Sequence, residues 1–76
     1  MESILVNLKM AESIKSFVNF TQKYDYDIDL RSGRFIVDAK SILGIFSLDL
    51  SKPLVMEVYG GDYRDLLDEL KGYIVE

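Results

Sequence analysis

From Tyr26 to Arg31 the chain alternates strictly between apolar and charged side chains: Tyr26, Ile28 and Leu30 against Asp27, Asp29 and Arg31. Successive side chains of a β-strand point to opposite faces, so the pattern is a strand with one dry face and one wet face. A sheet covered on one side only is the habit of antiparallel sheets, since parallel ones are buried on both faces. Ser32-Gly33 follows as a hairpin signal, because glycine takes the positive φ that a tight two-residue turn needs. Arg34 to Ala39 returns as the partner strand, with Phe35, Val37 and Ala39 expected inward.

The rest of the chain supplies more strands and the cover. Ile4-Leu5-Val6-Asn7-Leu8 reads as a strand with Ile4, Val6 and Leu8 on one face. Lys9 to Thr21 then places Met10, Ile14, Phe17, Val18 and Thr21 at helical spacing, with Glu12, Lys15, Ser16 and Asn19 opposite. Asp49 to Pro53 is a loop, and Pro53, lacking a ladder donor, fits only the start of a strand. Leu54 to Tyr59 is that strand, with Leu54, Met56 and Val58 on the buried side. Gly60-Gly61 breaks it, and Asp62 suits the N-cap of a last helix. Tyr63, Leu66, Leu67, Leu70, Tyr73 and Ile74 form that helix's apolar stripe. The order is strand, helix, strand, strand, short helix, strand, helix. An α+β arrangement, one four-stranded antiparallel sheet with three helices on one face, buries all of these stripes.

Composition narrows the chemistry. Residues 1–76 are expected to form one domain, near the lower end of what folds without staples. The chain has no Cys and no His, which removes disulfides, thiolate sites, the usual general base and the commonest metal ligand. Nine Lys and Arg against 13 Asp and Glu leave a net charge of −4. Such a chain gains little from phosphate backbones, and no basic run interleaved with aromatics is present, so nucleic-acid binding is not expected. The longest apolar runs are far too short to span a bilayer, and acidic Glu2 stands where a signal peptide carries positive charge. A soluble, cytoplasmic protein without cofactor, metal site or membrane contact is the expectation.

The stretch Asp38 to Leu48 holds the functional question. Ser41 stands at a helix start, and Ile42, Ile45 and Phe46 fall at i, i+3 and i+4, with Leu43 beside them. An apolar helix this short either covers a core or meets a partner. Ile45 and Leu48 suit the core face, which leaves Ile42, Leu43 and Phe46 at least partly outward, and both readings of that trio stay open.

Tyr24-Asp25-Tyr26-Asp27-Ile28, then Ser32-Gly33, then Val37 through Leu48, with Lys40-Ser41-Ile42-Leu43-Gly44 the most specific block, resemble HPr. HPr is the histidine-containing phosphocarrier of the bacterial sugar phosphotransferase system. The resemblance covers the chain from about Lys15 onward and implies the HPr fold, an open-faced β-α-β-β-α-β-α sandwich. It does not carry the family's chemistry. The carrier histidine stands in a His-Ala-Arg-Pro motif at the start of the first helix, and the matching residues here are Met10-Ala11-Glu12-Ser13. A thioether has no proton to lose and no stable phosphoryl product. Glu12 replaces the arginine that would neutralise phosphate charge, so the position now repels what the family site attracts. Met10 also fits the helix stripe and reads as packing near the helix start. The segment before Met10 and the strand before Gly60 are shorter than in the family.

Ser41 does match. The resemblance implies a serine modified by a dedicated kinase, after which the protein binds a transcriptional regulator. The catabolite-repression HPr is similar in having lost the histidine and kept this serine. Phosphate at a helix N-terminus meets free amides and the positive dipole end. Serine is equally a favoured N-cap without any kinase, so both roles stay open. Ile42, Leu43 and Phe46 match the family's hydrophobic docking patch for the phosphotransferase enzyme and regulators.

Other constellations are weak. Asp25, Asp27 and Asp29 suggest an oxygen-ligand cation site, but alternation along the strand puts only Asp27 and Asp29 on one face, and the glycine and distal glutamate of a calcium loop are absent. Gly60-Gly61 lacks the Lys-Ser/Thr of a phosphate loop. No catalytic arrangement emerges, so no enzyme is expected. The leading expectation is an HPr-like protein-binding module that cannot carry phosphohistidine. The alternative is an assembly module that dimerises through Ile42, Leu43 and Phe46 or exchanges its first strand.

Overall fold

The computed structural model describes residues 2–61 and 63–75. Four strands, β1 (Glu2–Val6), β2 (Asp27–Ser32), β3 (Phe35–Asp38) and β4 (Leu54–Tyr59), form one antiparallel sheet in the order β1-β4-β2-β3. Three helices, α1 (Ala11–Thr21), α2 (Ile42–Phe46) and α3 (Arg64–Glu69), lie on one face, and a single 3-10 turn follows at Lys71–Tyr73. The last strand in sequence is central in space. Its register sets Ile4 opposite Met56 on one side and Leu30 opposite Met56 on the other.

Directly opposed residues share a face, so this register gathers the apolar set of every strand on one side. Val6, Ile28, Leu30, Leu54, Met56 and Val58 are buried there, against Ile14, Phe17 and Val18 of α1, Ile45 of α2 and Leu66 of α3. The α1 stripe is as expected except at its first member. The helix begins at Ala11, and Met10 is an extended N-cap residue (φ −114°, ψ 143°) that is 64% exposed. Before the first turn the chain has not yet entered the helix, so helical spacing does not govern where Met10 points.

Three further expectations are corrected. Phe35 is 70% exposed, because it opens an edge strand at the hairpin end, with a neighbour on one side only. The last helix stops at Glu69 instead of running to Ile74. Gly72, poorly suited to a helix interior, lies in the 3-10 turn, and the chain then turns to β1. Asn7 N donates to Tyr73 O and Val75 N to Leu5 O, both at 2.8 Å, so backbone bonds to the sheet edge replace the last helical turn. The suggested N-cap Asp62 lies outside the described residues. The turns agree with the sequence: Gly33 has φ +59°, Gly60 +118° and Gly61 +59°, all in the region that favours glycine.

The outer face of the sheet is not simply wet. Glu57 is buried there, and Arg31 Nη2 lies 3.1 Å from its Oε2 as a hydrogen bond and 2.8 Å from its Oε1 at too oblique an angle for one. The guanidinium is the compensation a buried carboxylate requires. In the same cross-strand row Asp29 faces both Asp38 and Glu57. Partial burial, then the charges of Asp38, Asp27 and Glu57, push the Asp29 carboxyl above the usual aspartate range, while Arg31 pulls the other way.

A raised folded-state pKa means that the folded protein binds this proton more tightly than the unfolded chain. Stability therefore falls as pH rises from about 4, the ordinary aspartate value, through the folded-state value. The neutral variant Asp29→Asn is predicted to melt a few degrees higher than wild type at pH 7, with the advantage vanishing near pH 3. Thermal melts followed by circular dichroism across that range check it, and an equal or lower melting point for the variant at pH 7 contradicts it.

Candidate functional site

The α2 segment is positioned by what precedes it. Thr21, at the end of the buried α1 stripe, turns its hydroxyl to Val18 O at 3.0 Å and to Ala39 O at 3.2 Å. Gln22 Nε2 donates to Lys40 O at 3.3 Å, and Lys40 Nζ donates to Tyr24 O. Ala39 N donates back to Ile28 O at 2.9 Å. Residues 39–40 are thus held on both sides, by the end of α1 and by β2. A five-residue helix is far too short to be stable alone, so this scaffold and the burial of Ile45 set its place.

Ser41 is the N-cap. Its backbone is extended (φ −108°, ψ 111°), and its Oγ accepts from Gly44 N at 3.2 Å. The capping hydrogen bond satisfies one of the free amides of the first turn. Ser41 N donates to Asp38 O at 3.0 Å, and Asp38 Oδ1 accepts from Lys40 N at 2.8 Å. Gly44 has a packing role as well. A Cβ there would lie 3.2 Å from Val37 Cβ and 3.3 Å from Ser41 Oγ, so the missing side chain lets α2 settle on β3.

The helix then divides its apolar residues. Ile45 is fully buried and Leu48 nearly so, as expected of the core face. Ile42 is half-buried and packs against the core, which places it between the two readings the sequence left open. Leu43 is 81% exposed and Phe46 47% exposed. Two large apolar side chains on one short helix, three residues apart, share a side and form an exposed apolar patch rather than part of the core. At the start of α1, exposed Met10 makes no side-chain cap, and exposed Glu12 sits in the first turn, where a carboxylate complements the helix dipole.

Among the described residues no group of His, Cys, Asp and Glu is placed to hold a metal ion. Asp27 and Asp29 do share the outer sheet face, whereas Asp25 precedes β2. No helix among the described residues is long and apolar enough to cross a membrane. The residues that sequence reasoning missed are Thr21, Gln22 and Lys40. Periodicity placed Thr21 on the buried stripe, but nothing in the pattern signals that its hydroxyl reaches Ala39.

With this geometry in view, comparison with known proteins gives the class. A family model described as the HPr component phosphorylation site of the phosphotransferase system matches residues 10–76. The chain belongs to the HPr family. Among solved structures it is similar to HPr-C-His from Thermoanaerobacter tengcongensis, at 25% identity and a TM-score of 0.79, over 95% of this chain and 89% of that one. It is also similar to the phosphocarrier HPr of Bacillus anthracis, at 27% identity and a TM-score of 0.73, over 97% and 94% of the two chains. The catabolite-repression protein Crh of Bacillus subtilis shares the fold, at 22% identity and a TM-score of 0.67, over 96% and 90%; that structure is described as a domain-swapped dimer. No curated protein matches the sequence. The expected fold and family are thereby established, and members of this family are phosphocarriers.

The division of α2 predicts two opposite outcomes. Ile45→Ala is expected to destabilise by about 3 kcal/mol, through lost burial and the cavity left behind. Leu43→Ala is expected to change stability by less than about 0.5 kcal/mol, as an exposed substitution. Urea unfolding of both variants measures the difference, and a large loss for Leu43→Ala would contradict the assignment of Leu43 to the surface.

Proposed function

We propose that this chain is a regulatory, protein-binding member of the HPr family that does not carry phosphohistidine. It works through the α2 surface: Leu43 and Phe46 are the exposed contacts, Ile42 supports them, and Ser41 is the position of regulatory phosphorylation. The observation that carries the reading is the outward pair Leu43 and Phe46 directly after a matching serine, in a chain that contains no histidine at all. Met10 stands in the family's carrier position and Glu12 in that of its arginine. The Met10 thioether has no stable phosphoryl product, and the Glu12 carboxylate repels phosphate charge where an arginine would neutralise it.

The chemistry at Ser41 suits modification. The hydroxyl accepts one hydrogen bond from Gly44 N and is partly exposed, so its oxygen is open to a kinase. A phosphate there would face the amides of the first turn and complement the helix dipole. It would also bring negative charge beside the apolar pair and so change which partner the surface favours. The proposed partners are proteins: the phosphotransferase-system enzyme, a serine kinase and a transcriptional regulator. In this reading the protein is not an enzyme and acts in the cytoplasm.

Two incubations test the reading. With the phosphotransferase enzyme and phosphoenolpyruvate, intact-protein mass spectrometry is expected to show no added phosphate. With the serine kinase and ATP, a single phosphate is expected on wild type and none on Ser41→Ala. Phosphate uptake in the first incubation overturns the loss of carrier function, and an unmodified Ser41 in the second removes the regulatory role.

A further inference from the structure

The two edges of the sheet are treated differently. At its C-terminal end the outer edge of β1 is covered by the chain's own 73–75 segment, through Asn7 N to Tyr73 O, Val75 N to Leu5 O, and the bridge between Val6 and Ile74. The edge of β3 has no such cover. Ala39 N bonds to Ile28 O, and Ala39 pairs with Ile28 in the register that sets Val37 opposite Leu30 and Phe35 opposite Ser32. In an antiparallel ladder the backbone groups of alternate residues point to alternate sides, so residues 35, 37 and 39 address β2 while 36 and 38 address the open edge. Among the described backbone–backbone bonds outside the sheet, the single one reaching β3 is the turn bond from Ser41 N to Asp38 O, and Asp38 Oδ1 also accepts from Lys40 N.

This open edge carries two large exposed apolar residues in succession, Phe35 at 70% and Ile36 at 54%. Consecutive strand residues lie on opposite faces of a sheet. A partner docking on either face would cover one of them and leave the other in water. A strand added alongside β3 extends both faces together and covers both.

We propose that the β3 edge binds the β3 edge of a second copy of this chain, antiparallel about a two-fold axis at Ile36. That register pairs Ile36 with its own copy, sets Phe35 against Val37 of the partner on the inner face, and brings Arg34 beside Asp38 of the partner at both ends. Charge complementarity selects the second copy as the occupant. Arg34 is exposed and forms no ion pair among the described residues, and Asp38 is exposed with one carboxylate oxygen on Lys40 N. The two stand four residues apart, so a two-fold axis midway between them satisfies both pairs at once, as a self-complementary interface requires. The backbone groups of Ile36 meet their own copies in a hydrogen-bonded pair, and the two sheets join as one of eight strands. A four-residue edge buries much less than the about 1,200–2,000 Å² of a stable complex, so the dimer is weak and concentration-dependent. The inference does not depend on the α2 surface.

Sedimentation velocity over a concentration series, with circular dichroism to confirm folding, provides the first arm. Wild type is expected to shift reversibly from monomer to dimer. Arg34→Asp is expected to weaken the dimer about tenfold, and Arg34→Asp with Asp38→Arg to recover it. The second arm uses the absence of cysteine in the native chain. Ile36→Cys is expected to form a disulfide-linked dimer on air oxidation, because opposed residues of a hydrogen-bonded pair lie about 5.5 Å apart at Cα, within disulfide reach. Leu43→Cys, more exposed but on α2, is expected to cross-link more slowly. A wild-type chain that stays monomeric at the highest soluble concentration, leaving the edge to an extended segment of another protein, overturns the proposal. So does faster cross-linking of Leu43→Cys, or a double charge reversal that dimerises no better than the single variant.

Discussion

Burial of one face of the sheet is the constraint on which everything else in the molecule rests. β4 inserts between β1 and β2, and its inward residues Leu54, Met56 and Val58 are packed from both sides by strands far away in sequence. The helices exist to cover that face. None is long enough to be stable alone, and each contributes buried residues to the same cluster. α2 is the extreme case, with Ile45 as its one buried residue. Because the core claims Ile45 and then Leu48, Leu43 and Phe46 are left in water. The exposed surface on which the proposed function rests is thus a by-product of how the core is filled.

The same constraint explains how much could be read in advance. The strict alternation of Tyr26 to Arg31 and the stripes from Ile14 to Thr21 and around Leu66 encode burial directly, so strands, helices and layer arrangement follow from spacing. The Lys40-to-Gly44 block carried the family resemblance. Local patterns fail where a residue's fate depends on what lies across from it. Phe35 alternates correctly with Val37, yet it sits at an edge with nothing above it. Tyr73 and Ile74 continue a helical spacing, yet the chain there bonds to β1. Met10 matches the α1 stripe, yet it precedes the helix. Glu57 carries no sign of burial in its spacing, and only the register shows Arg31 close enough to bury it.

The candidate site was legible to about the same degree. Ser41 as helix start and the outward position of Leu43 and Phe46 followed from spacing, and Ile42 proved intermediate. The scaffold beneath was not legible: the Thr21 hydroxyl on Ala39 O, the Gln22 amide on Lys40 O, and the close approach of Gly44 to Val37 are all contacts between distant residues. They matter because they fix Ser41 on a rigid base, so that a change at its hydroxyl acts on a held surface. At the other end of the family's site, the proposed loss of the carrier role rests on the sequence: the chain has no histidine, and Met10 and Glu12 fall where the family has its histidine and arginine.

The central claim is that recognition runs through the outward face of α2. It is tested most directly by backbone amide NMR of the labelled protein, titrated with the phosphotransferase enzyme that recognises the family. The account predicts shift changes concentrated at Ser41, Leu43, Phe46 and their neighbours, with the outer sheet residues Asp29 and Tyr59 unaffected. Saturable changes centred on the outer sheet face, with α2 unmoved, would contradict it.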